Sequence, residues 1–113
     1  MKELMQWIYG KSSKNAHIRM MAEKAINILR NKESIEYQQL CRELGIGFDK
    51  YKKPRRTFYF VMNPLKGVKL VHDRRVYSQD DSKKYETHYF LTPDRFRGYM
   101  DRIIDEFHKS VSD

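Results

Sequence analysis

From Val68 to Leu91 the side chains alternate in character from one residue to the next, whereas on either side apolar residues recur every three or four positions. A strand turns its side chains over at every residue and a helix every 3.6, so one kind of element cannot satisfy both patterns. The chain is therefore expected to be α+β. Val68, Leu70 and His72 alternate with Lys69, Val71 and Asp73, and Tyr85, Thr87, Tyr89 and Leu91 alternate with Glu86, His88 and Phe90. Residues 78–84 (SQDDSKK) between them are polar. This reads as an antiparallel hairpin with a charged tip.

Helical spacing dominates elsewhere. Leu4, Trp7 and Ile8 suit a short amphipathic helix over residues 1–9, followed by a hinge at 10–14 (GKSSK). Asn15 is placed as a cap for a helix to Arg30 with Ile18, Met21, Ala22, Ala25 and Leu29 on one face. After a turn at 31–34, Ile35 suits a very short strand. Tyr37, Leu40, Cys41 and Leu44 then make a second helix, and Gly45 stands where a left-handed cap belongs. Gly45, Ile46 and Gly47 form a tight connection.

The stretch after Pro54 fits two readings. A helix with Pro54 in its first position would bury Phe58, Val61, Met62 and, just beyond, Leu65, and expose Arg55, Arg56, Tyr59 and Asn63. Residues 57–62 (TFYFVM) also have strong strand propensity. The placement of the proline favours the helix. Thr92 and Pro93 open a last helix whose apolar stripe runs from Phe96 through Tyr99, Met100, Ile103, Ile104 and Phe107 to Val111.

Charge is distributed far less evenly than apolar residues. Residues 49–75 hold nine Lys and Arg against Asp49 and Asp73, which is +7 of a total of +8. Tyr51, Phe58, Tyr59 and Phe60 run through the same block. Many soluble proteins carry a solvated basic face, but a block this local is the footprint of a surface that meets a polyanion. The length of 113 residues suits one domain with its own core. The longest apolar run, Phe58 to Met62, is far short of the roughly 20 residues of a membrane span. No secretory signal is expected at the N-terminus, and the single cysteine fits a reducing compartment, the cytoplasm (of the host, if the protein is viral).

Two stretches resemble the winged helix-turn-helix superfamily of DNA-binding proteins. Residues 34–47 (SIEYQQLCRELGIG) look like its short strand, second helix and turn. Residues 56–71 (RTFYFVMNPLKGVKLV) resemble its recognition helix, the junction after it and the first wing strand. The likeness covers residues 16–91, and the flanking segments resemble the extra helices with which small archaeal and archaeal-virus regulators dimerise. It implies three helices and a two-stranded wing in residues 15–91, an N-terminal extension in 1–14 and a packing or dimerisation helix in 92–113. One departure stands out. Pro64 interrupts the proposed recognition helix, which would then end early.

The implied function is binding of double-stranded DNA, sequence-specific or architectural, by a transcriptional regulator without a cofactor. Arg55 and Arg56 would reach guanine edges or phosphates, with Tyr59 and Asn63 further along the helix. Lys50, Lys52 and Lys53 would meet phosphates from the preceding turn, and the wing would add Arg74, Arg75, Lys83 and Lys84. Asp80 and Asp81 argue against insertion of its tip. Ile103, Phe107 and Val111 would face a second copy in a homodimer, unless the N-terminal segment folds back over them; part of the stripe would cover the domain's own first helix.

Catalysis is not expected. His17, His72, His88 and His108 are scattered without metal-ligand spacing, no glycine-rich phosphate loop is present, and Cys41 lies on an apolar face. Two other binding modes compete. A three-stranded meander could stack unpaired bases on Tyr59, Tyr77 and Tyr89, or a winged helix could meet a protein partner.

Overall fold

Helix α2 (Ala16–Arg30) is the element around which the others gather. It buries Ile18, Ala22, Ala25, Ile26 and Leu29, and the two alanines allow close approach by its neighbours. α1 (Lys2–Tyr9), α3 (Tyr37–Leu44) and α4 (Arg56–Gly67) pack on it. So does a three-stranded antiparallel sheet of β1 (Ile35–Glu36), β2 (Val71–Tyr77) and β3 (Tyr85–Leu91), in the order β1-β3-β2. α5 (Pro93–Val111) follows. The computed structural model describes residues 1–112. Its class is α+β, five α-helices with a small antiparallel sheet.

The N-terminal helix forms as expected but shows a different face. Met5 enters the core, Leu4 and Ile8 are partly buried, and Trp7 is 53% exposed. α1 lies on α2 and α4, and the Tyr9 hydroxyl donates to the Val61 carbonyl. It does not fold back over the stripe of α5. The expected hinge at 10–14 is a pinned turn. Arg19 donates to the Gly10 and Ser12 carbonyls at 2.6 and 2.8 Å, and a 3-10 turn (Ser13–Asn15) leads into α2. Asn15 occupies the cap position, yet its amide donates to the Tyr9 carbonyl at 3.0 Å and not to α2.

Strand β1 passes into α3 without a loop. The Glu36 carboxylate accepts from the Gln38 and Gln39 N–H groups at 3.0 and 3.1 Å, capping the helix. Gly45 closes it in the left-handed region at φ 73°.

Residues 57–62 are helical, which removes the meander and its stacking platform. Tyr59 lies on α4 and Tyr89 is 6% exposed. Pro54 is not the first helical residue. It is buried and bridges Phe48, while the bonds run between flanking residues, Asp49 N–H to Lys53 O at 2.8 Å and Arg55 N–H to Gly47 O at 3.1 Å. A residue without an N–H suits a position that needs none. Nor does Pro64 end α4, which continues to Gly67. The proline forgoes one backbone bond, but Val61, Met62 and Leu65 are buried on either side of it, and their burial offsets that loss.

Strand β2 starts three residues later than the alternation suggested. Val68 to Leu70 turn out of α4, with Lys69 in the left-handed region at φ 66°. The inward face of β2 is consequently that of Val71 and Asp73, opposite Leu91 and Tyr89, and His72 points outward. Thr92 stands at the start of α5, but its hydroxyl donates to the Lys69 carbonyl at 2.7 Å. Phe96 is the residue of α5 that packs on the core, and no described residue of the helix is fully buried. Phe96 is thus the part of the stripe that meets the core. Ile103, Ile104, Phe107 and Val111 are exposed.

Candidate nucleic-acid interface

The basic loop before α4 is shaped by one of the two acids of the basic block. The Asp49 carboxylate accepts from the Tyr51 and Lys53 N–H groups at 2.8 and 2.9 Å, and the Asp49 carbonyl accepts from Lys52 N–H. An aspartate that ties down its own turn is a local backbone device. Here it displays Lys50, Lys52 and Lys53, all exposed, with Lys52 at φ 62°. The other acid, Asp73, pairs with Lys66 at 3.1 Å. Both acids are thus engaged within the protein, Asp49 in its own turn and Asp73 with Lys66.

Helix α4 presents two different faces. Phe58, Val61, Met62 and Leu65 are buried. Arg56, Phe60 and Asn63 follow one another at four and three residues, share the opposite face, and are exposed. Arg55 precedes the helix with extended backbone, its side chain passing 3.4 Å from where a Cβ on Gly47 would lie. No side chain caps α4 and no acid occupies its first turn, so its positive end is available to an anion. Tyr59 is turned aside toward the hairpin and packs edge-on against Phe58 at 5.5 Å. Partial burial pushes its phenol up from the ordinary value, so it remains a neutral hydroxyl.

Between α4 and the hairpin lies a cleft of about 540 Å³. Lys53, Tyr59 and Asn63 line one wall, and Asp73, Tyr85 and Thr87 line the other. Lys53 of the loop, the flank of α4 and the hairpin strands therefore border one concave surface.

The hairpin divides its two arginines. Arg75 is opposite Thr87 on the face that bears Asp73 and Tyr85, the cleft face, and its guanidinium stacks 4.5 Å from the Tyr85 ring. Arg74 is opposite His88 on the other face, 5.2 Å from the Phe90 ring. Adjacent strand residues point oppositely, so the pair cannot act as one patch. At the tip the Asp81 carboxylate accepts from Lys83 N–H at 3.0 Å, another turn held by an aspartate, and Lys83 and Lys84 are exposed there. Asp80 and Asp81 are thus not equivalent, since Asp81 supports the turn.

Phe60 is the surface residue that sequence reasoning missed. It is 59% exposed in the middle of the outward face of α4. The clue was its place one turn after Arg56, hidden while residues 57–62 also read as a strand. Cys41 is fully buried, and burial pushes its thiol up to about 12, which leaves it protonated and unreactive at neutral pH.

Among the described residues no group of three or more His, Cys, Asp or Glu side chains is arranged to hold a metal ion, and no helix is long and apolar enough to cross a membrane. No protein-family model matches the chain, and no curated protein matches it in sequence.

Proposed function

We propose that the protein is a winged helix-turn-helix factor that binds double-stranded DNA, with α4 as recognition helix, the β2–β3 hairpin as wing, and a role in transcription regulation. The observation that carries this reading is that Lys53, the flank of α4 and the hairpin border one cleft, beside which Lys50, Lys52, Arg55 and Arg56 are exposed on the adjoining loop and first turn of α4. The element order α2-β1-α3-α4-β2-β3 and the strand order β1-β3-β2 support the class. Such a surface acts by binding, not by catalysis. Lys50, Lys52 and Lys53 grip one phosphate strand as the first turn of α4 enters the major groove. Arg75 approaches the backbone from the cleft face of the wing, and Lys83 and Lys84 from its far end. Arg74, on the opposite face, contributes to the long-range field.

Fluorescence anisotropy with matched double- and single-stranded DNA over a range of salt tests the reading. Duplex is expected to bind more tightly. Some five to seven phosphate contacts give a slope of log affinity against log salt of roughly −4.5 to −6. Preference for the single strand would replace it with a single-strand binder of another design, and no binding at low salt with a protein-interaction role.

We also propose a homodimer through α5. Ile103, Phe107 and Val111 form an exposed stripe on a 19-residue helix that leaves the core after Phe96. Helices of this length gain most of their stability from burying an apolar face. Its first half carries Arg95, Arg97 and Arg102 against Asp94 and Asp101, and the second carries Asp105 and Glu106 against Lys109. Antiparallel pairing sets the positive half of each copy against the negative half of the other. Sedimentation equilibrium is expected to show mass rising with concentration toward twice 13.7 kDa. Phe107→Glu is expected to abolish the rise, and a wild-type monomer throughout the micromolar range would exclude the pairing.

A further inference from the structure

The outward face of α4 combines three kinds of group. Arg56 offers parallel N–H donors, Asn63 offers an amide with both donor and acceptor, and Phe60 between them offers only an apolar ring. Phe60 takes no part in the core, where Phe58 of the same helix is 1% exposed. Packing does not account for a large aromatic ring at the crest of a basic helix. The adjacent Tyr59 does not fill this role, because its ring packs edge-on against the buried Phe58 at 5.5 Å.

We infer that Phe60 is a specificity-determining residue that reads the C5-methyl group of a thymine in the major groove, between base contacts made by Arg56 and Asn63. This inference rests on the duplex-binding reading above. Among the major-groove edges of the four bases, thymine alone presents a methyl group, and apolar side chains recognise it by contact. Arginine suits guanine and asparagine suits adenine on the same geometric grounds. Along the helix axis Arg56 and Phe60 are about 6 Å apart, and Phe60 and Asn63 about 4.5 Å. A helix lying in the major groove runs obliquely to the stacking direction, so the three side chains reach neighbouring base pairs. The preferred site therefore contains a thymine flanked, within one or two steps on either side, by a guanine and an adenine.

The test uses the whole chain and a duplex library with a randomised central segment. Duplexes selected by the wild-type protein are resynthesised with deoxyuridine replacing thymidine at one position at a time, which removes only the methyl group. One position is expected to lose about fourfold in affinity, the worth of one buried methyl-sized group. Phe60→Ala is expected to bind the thymidine duplex more weakly and to be indifferent to the replacement. Phe60 is exposed, so the variant is expected to keep the wild-type circular dichroism spectrum and melting temperature. Equal binding of thymidine and deoxyuridine duplexes at every position would overturn the assignment while leaving duplex binding intact. So would a Phe60→Ala variant that keeps the wild-type sensitivity. Failure of the wild-type protein to bind any duplex would overturn the underlying reading, and this one with it.

Discussion

Phe58→Ala is expected to lower the stability of the fold by about 3–5 kcal/mol, the range for truncating a buried phenylalanine. Phe58 is 1% exposed and packs edge-on against Tyr89 at 5.6 Å and Tyr59 at 5.5 Å. Through these contacts it ties α4 to the sheet. A domain of this size has about 5–15 kcal/mol of stability in total, so the loss takes a large share. Urea denaturation reads it as a lower midpoint with an unchanged slope. Under the proposed function, duplex affinity should fall only under conditions where the variant is partly unfolded, because α4 presents its outward face while its inner face is docked. Phe58→Leu, which keeps most of the volume, should lose far less. A loss below about 1 kcal/mol for the alanine variant would mean that α4 is not anchored by this ring.

Arg56→Ala is expected to leave stability nearly unchanged, since the side chain is exposed, and to weaken binding to the preferred duplex by about 1–3 kcal/mol. That corresponds to roughly five- to 150-fold, by the rule that about 1.4 kcal/mol is tenfold. Two contact types give distinguishable results. A side chain that reads guanine loses discrimination at one base pair when removed. A side chain that meets only phosphate weakens all sequences alike and reduces the salt slope by about 0.9. Binding measured against duplexes varied at each base pair, over several salt concentrations, separates them. An unaltered affinity would take Arg56 out of the interface.

Most of the element order was legible from local rules. The αL cap at Gly45, the short strand at Ile35 and the proline opening α5 follow from conformations that few other residues favour or allow. The inner face of α4 was legible in the helical reading, because Phe58, Val61, Met62 and Leu65 recur at helical spacing. The errors arose where a residue fits several local roles and a distant partner chooses among them. Pro54 suited the first turn of a helix, but a bridge to Phe48 holds it two residues earlier. In α1, Met5 lies in the core and Trp7 is 53% exposed.

What the sequence determined by itself was the mixture of elements and the concentration of net positive charge in residues 49–75. Both depend on the order of residue types, through backbone preference and Coulomb repulsion, before any long-range contact exists. Only the tertiary structure decided which charges act together. The register of β2 on β3 sends Arg75 toward the cleft and Arg74 away from it, Asp73 is spent on Lys66, and the docking of α4 turns Tyr59 aside and leaves Phe60 outermost. Neighbours in sequence are separated in this way because pleat and helix rotation assign each side chain a direction, and only packing against the rest of the chain decides which direction is solvent.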